Sequence, residues 1–429
     1  MTELNLLNKL SSFLLTTRNV SIDDDFYKCK AIYSAMDNNI ADDYSDEFDE
    51  VIRESNKLSL RFDVTYKIKD SDDILISSGT SQASFEDKVK NLKDNIYWSS
   101  QSGNDALDNE VIIEVVIYKD SAINKDNVNY IFDFNSFFND KNIANELDFL
   151  FKLKEFNVNK NIYFLLFDGD FEFNTKSIHF IKPSKHIDSN DSLIERGSFI
   201  NKRNKSCHFT NDSEFKFTPC DFYLLNECKV DRVKKIFDRL LVVFSLVYLS
   251  DYSDLNLNKN EIIYKFKGYR LINGAIDISN IENNSEYVIF DIYSWVYTDG
   301  NFIDKLGLAR NIISLYIKGN DIMTLPINAL KSVESGYDIY LKENVKQYIE
   351  IKNKISEFLI SQSDKASEIT KSMFSSLKSS LWSIVTFFVS VVLIRMVSSQ
   401  SYTGIVTIEI LIITIVFVFF FIFILVPFY

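Results

Sequence analysis

The chain has 429 residues, 47 Lys and Arg against 60 Asp and Glu, and a net charge of −13, which is room for two or three compact units of roughly 100–200 residues each. Nearly all of the negative excess precedes residue 379, because Arg395 and Glu409 are the only later charges and cancel. Such a surface repels phosphate backbones and argues against nucleic acid as a general partner.

Cys29, Cys207, Cys220 and Cys228 are few and irregularly spaced, and the start MTELNLLNKLSSFLL lacks the basic opening and unbroken apolar run of an export signal. They read as reduced thiols in a cytosol. With only 11 Gly and 4 Pro, turns have to be read from Asn, Asp and Ser.

In chain order, Leu6, Leu7, Leu10, Phe13 and Leu14 follow one helix face. They open an acidic N-terminal segment, 1–55, whose run from residue 20 reads as a solvated face or a mobile segment, without the regular ligand spacing or turn glycine of a Ca²⁺ loop. Residues 58–68 alternate strictly between apolar and polar and predict a strand. Further strands are expected at Val111–Tyr118, Tyr130–Phe134, Ile162–Phe167, Ser177–Ile181, Phe222–Leu225, Ile262–Phe266 and Tyr287–Tyr293. Helices are expected at Asn142–Phe156, Val230–Ser250 and Asn301–Lys318. LLVVFSLVYL, inside the second of these, is too short to cross a bilayer and suits a buried helix. The soluble part is therefore α+β, with a β-rich domain over 56–230 and a mixed α/β continuation over 231–335.

Candidate chemistry in this part is thin. Asp168 and Asp170, with Glu172, follow a strand in FDGDFEF and are the candidate metal ligands, but Asp-Gly is also a preferred hairpin turn with Phe171 and Phe173 on the returning strand. The turn is the stronger reading. Cys207, His208, Cys220 and Cys228 lack the close C-x-x-C pairing of a structural zinc site. Three histidines, no nucleophile elbow and no phosphate loop or dinucleotide fingerprint leave no catalytic residue to name. Glu214 and Lys216 as a nuclease pair carry almost no weight. No cofactor is expected. Lys182–Lys205 carries a local positive excess, in which Lys202, Arg203 and Lys205 are candidate contacts for an anionic ligand or lipid headgroups. An ordinary solvated loop is the blander and stronger alternative.

The C-terminal part is more informative. No Gly or Pro occurs between Tyr337 and Thr403, and 337–378 reads as one long stalk helix. Its stripe of Val345, Tyr348, Ile351, Ile355, Phe358, Gln362, Ala366, Ile369, Met373 and Leu377 recurs every three or four residues. Such a stripe needs a partner: its own domain, or a second copy of the helix. Ser379–Val397 and Ile410–Phe428 then predict a two-helix transmembrane hairpin over 379–429. The second stretch holds nineteen uncharged residues, roughly 28 Å of helix, close to the hydrocarbon thickness. Trp382, Arg395, Tyr402 and Glu409 are the expected membrane-interface residues. Lys365, Lys371 and Lys378 just before the first span place the N-terminal side, and with it the C-terminus, in the cytoplasm.

A long helix feeding a two-span hairpin resembles the layout of CorA-type magnesium transporters. That family carries Gly-Met-Asn after its first span; here Met396 is followed by Val397-Ser398-Ser399 and Gly404 by Ile405-Val406. The layout also resembles bacterial defence effectors in which a cytosolic sensing domain sits on a small membrane hairpin. The expectation is a multi-pass protein of the inner membrane, and a non-enzymatic role is preferred over catalysis. It would be a sensor or effector that self-associates through the stalk and membrane helices, answers an unidentified cytosolic ligand or protein, and alters permeability. The alternatives are a CorA-like transporter and a membrane-tethered enzyme acting on nucleic acid or nucleotide.

Overall fold

A computed structural model describes residues 6–36, 40, 44–69, 71–102, 111–169, 171–183, 196–281 and 286–398, and beyond these only 408, 411, 412, 414–416 and 419. The chain divides into two compact units, Met1–Asp338 and Ile339–Tyr429. As expected, the architecture is mixed α and β with several sheets, ending in a long helix that is apolar enough to cross a membrane. The segment expected to form the second helix of a hairpin lies largely outside the described residues.

The first sheet is antiparallel throughout, in the order β1-β2-β5-β3-β4. Its strands are β1 (Thr17–Asp24), β2 (Lys28–Ala35), β3 (Arg61–Lys67), β4 (Ile74–Ser77) and β5 (Ile112–Tyr118). Alternation decides its two faces. Ala31, Val64, Val115 and Ile117 point into a core, while Lys30, Lys67 and Glu114 meet on the outer face at 2.6 and 2.9 Å. Three helices cover the inner face: α1 (Leu6–Ser12), α2 (Tyr44–Lys57) and α3 (Gln82–Ser102). Phe48 of α2 stacks on Phe85 of α3 with ring centroids 4.0 Å apart. The acidic stretch after residue 20 is ordered where it is described, with Asp46, Glu47, Asp49 and Glu50 on a solvated helix face. Most of it is strand and helix, and Asp24 is fully buried.

A second sheet, β6-β7-β9-β8, uses β6 (Val128–Ile131), β7 (Ile162–Leu166), β8 (Phe173–Asn174) and β9 (Ile178–Ile181). Its first three strands are parallel. The intervening helices are α4 (Asp120–Asp126), before β6, then α5 (Phe134–Phe137) and α6 (Glu146–Lys152). The sheet has a core on each face. Val128, Tyr130 and Leu165 face the first-sheet core, whereas Ile131, Ile162, Phe164 and Leu166 face the larger one. Burial on both sides explains why these strands read as near-continuous apolar runs. The Asp168-Gly169 segment is not a tight hairpin, since β7 pairs with β9 in parallel and β8 pairs with β9.

The larger core surrounds α8 (Asp231–Leu249), buried continuously from Leu240 through Leu249. Around it lie α7 (Arg196–Ser206), a third sheet and the helices α9 (Glu286–Tyr297) and α10 (Phe302–Tyr316). The third sheet runs β10-β11-β12-β13: His208–Phe209, Tyr252–Asn256, Glu261–Lys267 and Leu271–Asp277. Two expected strands are corrected here. Phe222–Leu225 follows a 3-10 turn, Pro219–Asp221, and belongs to no sheet. Tyr287–Tyr293 is the start of α9. Its apolar run has no clear period, and the helix is fixed by Val288, Ile292 and Val296 packing inward at four-residue spacing.

One ionic contact ties the first two sheets together. Asp24, ending β1, accepts from Lys119 Nζ at 2.5 Å and from the backbone N–H groups of Phe132 and Asp133 at 2.7 and 3.1 Å, beyond the end of β6. Lys119 also donates to the Asp25 carbonyl at 2.7 Å, and both side chains of the pair are 0% exposed. Removing one member strands the other charge in the interior. Lys119→Met is therefore expected to cost roughly 3–5 kcal/mol of stability, against under about 1 kcal/mol for Glu114→Gln on the open face. Denaturant unfolding of both variants checks this, and equal small losses would contradict it.

Asp238, within α8, gives a second test. Burial pushes its carboxyl above the ordinary range, and Lys234 at 4.0 Å offsets this only partly. Ionisation then opposes folding, so its contribution worsens as pH rises from about 4 through the raised value. Asp238→Asn should remove that slope and raise the melting temperature at neutral pH, by on the order of 1 kcal/mol of stability.

The last helix, α11, runs unbroken from Ala329 to Ser398. At about 1.5 Å per residue it is roughly 105 Å long.

Candidate functional site: the exposed apolar helix and a cleft beside Lys202

The sequence of α11 has two registers. Ala329 and Val333 are buried in the first unit's core. From Asp338 to Val397, every side chain described is exposed except the half-buried Leu381 and Val385. Its terminal stretch presents Ile384, Phe387, Phe388, Val391, Val392, Leu393 and Ile394 to the surroundings, Phe387 at 66%. By contrast, the apolar part of α8, Leu240–Leu249, is continuously buried.

The polar residues in this stretch are satisfied internally. Ser383, Thr386 and Ser390 each donate to the carbonyl four residues earlier, at 3.1, 2.8 and 2.8 Å. No hydroxyl among them needs water, which is the condition for a helix in hydrocarbon. Trp382 is half-exposed at the start of the stretch. The Arg395 side chain, Tyr402 and Glu409 lie outside the described residues.

The cationic stretch around residue 200 is not a loop where it is described. It is helix α7, and its charges part company. Arg196 turns inward to a two-bonded contact with the buried Asp221, at 2.9 and 2.7 Å, and Asp221 also accepts from Ser177 and Thr218. Arg203 is 0% exposed, bonded to Asp212 and Asn204 and held between the rings of Phe209 and Tyr248, 5.2 Å from each. It is no surface ligand contact. Lys205 stays exposed on the far side of the sequence pair. Lys202 alone lines a cleft, and its ammonium sits over the rings of Phe199 and Phe302 at 5.6 and 5.9 Å. The three candidate cations therefore do not form one site.

That cleft, of roughly 500 Å³, is formed by Phe199, Lys202, Cys220, Tyr293, Tyr297 and the α9 C-terminus. Its size suits a small molecule. The carbonyls of Trp295, in α9, and of Asp299, just past its end, are taken by Lys305 at 3.0 and 2.7 Å. Arg310 similarly gathers the carbonyls of Ser206, Leu249 and Ser250, each at 2.8 Å, and approaches Cys207 Sγ at 3.3 Å. Neither the Lys305 nor the Arg310 set of contacts was readable from the sequence, since nothing in a run of charges tells which side chain turns inward.

The other candidates scatter. Asp168 is exposed and Asp170 lies outside the described residues. Cys207 donates to the Tyr248 carbonyl, while Cys220 belongs to the turn before α8. Lys216 pairs with Asp212 at 2.7 Å and Glu214 with Lys154 at 3.4 Å. Among the described residues no group of three or more His, Cys, Asp or Glu is placed to hold a metal ion.

Comparison with protein-family models, with curated proteins and with solved structures returns no match.

Tyr293 on the cleft wall supplies a prediction. Its ring is 2% exposed and, among the described residues, its buried hydroxyl makes no strong hydrogen bond, having only a weak interaction with the Cys220 thiol. Tyr293→Phe should leave stability unchanged or raise it by about 1 kcal/mol. Tyr264→Phe should lose about 1–2 kcal/mol, because that hydroxyl donates to the Asn320 carbonyl at 2.8 Å and accepts from Ile322 N–H at 3.0 Å. Thermal melts of the two variants side by side decide it.

Proposed function

We propose that this is a membrane-anchored sensor or effector of the bacterial inner membrane. Its acidic first unit lies in the cytosol, and its C-terminal helices alter the permeability of the bilayer when copies associate. The observation that carries this reading is the exposed apolar stretch of α11, with its internally bonded hydroxyls. An uncovered stripe of this extent in water would drive aggregation, and hydrocarbon relieves it without any further protein. Lys365, Lys371 and Lys378 ahead of the stretch favour a cytosolic first unit. One or two spans cannot enclose a water-filled path, so any change in permeability needs several copies.

Expression of the full chain in bacteria should admit a membrane-impermeant dye and slow growth. A chain ending at Asp338 should do neither. Phe387→Asp with Leu393→Asp, each placing a carboxylate in the apolar stretch at about 2.5–3.5 kcal/mol, should abolish dye entry. Dye entry unchanged by either alteration would refute the proposal. Growth rescue dependent on added magnesium, without dye entry, would point to a transporter instead.

A further inference from the structure

We infer that the free edge of β13, with the groove beside it, takes up an extended segment of another polypeptide as an added strand, and that this segment carries basic residues. All the residues involved lie in the first unit, so the pairing stands independently of the membrane reading.

The other sheet edges are short, interrupted or enclosed. β8 and β10 have two residues each and β4 has four. β6 also has four and is buried throughout. β1 is broken by a bulge between Asn19 and Ser21 and carries Arg18 and Asp23. β13 has none of these protections. It pairs with β12 over seven residues without a shift in register, and 271–276 contains neither charge nor proline. A regular, uncharged edge is a template for pairing with another chain, which is why proteins blunt the edges they do not use.

One bond shows which backbone groups of β13 face outward. Ile278 N–H donates to the Asn260 carbonyl at 2.8 Å, one step beyond the last register pair, Glu261 with Asp277. Bonded and non-bonded pairs alternate along an antiparallel ladder. Ile272, Gly274 and Ile276 therefore turn their N–H and C=O groups toward β12, while Asn273, Ala275 and Asp277 turn theirs away. Among the described residues, no hydrogen bond reaches the outward groups of those three.

The groove, of about 600 Å³, runs between 273–277 and a wall made by Gly319, Asn320, Asp321 and Met323. That wall is satisfied within itself. Asp321 N–H donates to the Lys318 carbonyl at 3.1 Å, and Met323 N–H to the Asp321 carboxylate at 2.9 Å. Tyr264 sets the spacing of the two sides. Its ring lies against Gly274, where a Cβ would fall 2.2 Å from it, and its hydroxyl bonds to Asn320 and Ile322. The unmet chemistry is on the strand side. Donors and acceptors repeating every second residue match another extended backbone.

Charge narrows the partner further. Among the described residues that line the groove, Asp277 and Asp321 are the only charged ones. Each spends one carboxylate oxygen locally, Asp277 on Ser279 at 2.9 and 2.6 Å and Asp321 on Met323, which leaves the other to face a cation. A second copy of this chain, itself at −13, brings the wrong charge, so the complementary occupant is a basic segment of a different protein.

Fluorescence anisotropy of the full chain in detergent, with the labelled probe peptide Thr-Val-Lys-Val-Lys-Val-Thr, tests this. The probe should bind, and Ala275→Pro should weaken it about tenfold, because proline there removes an outward donor and no bond to β12. Methylating alternate backbone nitrogens of the probe leaves the protein untouched and should weaken binding similarly in one of the two phases only. A probe with glutamate in place of both lysines should bind about tenfold more weakly, and Asp277→Asn with Asp321→Asn should remove that preference. No binding of the lysine probe, or binding that survives both Ala275→Pro and methylation in either phase, would overturn the strand pairing. Equal binding of the glutamate probe would overturn the basic partner. A dimer of the full chain that Ala275→Pro dissolves would put a second copy in the groove instead. Whether the chain needs detergent to stay in solution bears on the membrane reading alone and leaves each of these outcomes as stated.

Discussion

Water cannot cover an apolar helix at low cost, and this chain contains two such helices that resolve the problem in opposite ways. α8 is wrapped by the third sheet, α7, α9 and α10, so its apolar side chains disappear into the largest core. The terminal part of α11 has comparable side chains that are not buried among the described residues. The difference lies in what surrounds each helix, and it is what sets α11 apart as a functional element. The first unit completes its own core through Val333, and the helix continues well past the point where that core needs it.

The first unit shows how a chain poor in glycine ends its helices. Terminal carbonyls are commonly satisfied by a glycine in the left-handed conformation. Here Arg310, Arg270 and Lys305 reach those carbonyls with side-chain donors. Arg270 alone bonds to the carbonyls of Ser314, Leu315 and Ile317 at the end of α10. A cation at a helix C-terminus also meets the negative end of the helix dipole. Much of the positive charge that a reader of the sequence would assign to a surface is thereby used inside. The same reasoning covers Arg196 and Arg203, each enclosed with a carboxylate.

Legibility in the sequence follows burial on one face. β3, β5 and β12 alternate apolar and polar residues because each has one wet side, and their positions were readable. β6 and β7 were readable for another reason, being short apolar runs buried on both sides. Tyr287–Tyr293 has the same appearance and is a helix, because only packing against α8 distinguishes the two. β1 and α2 were hidden by their acidic residues, most of which are not buried, while Asp24 is drawn inside by Lys119 and two backbone donors. The apolar helix itself was plain from its length and lack of charge. The cleft was not, since Lys202 and Tyr293 are ninety-one positions apart in the sequence and no local pattern joins them.

The central claim is that the exposed stretch of α11 resides in hydrocarbon. Its most direct test is flotation of the full-length protein on a density gradient after an alkaline carbonate wash of the membranes. The account expects the protein to rise with the lipid and to be released only by detergent. Recovery of folded full-length protein in the aqueous fraction, without detergent, would contradict it.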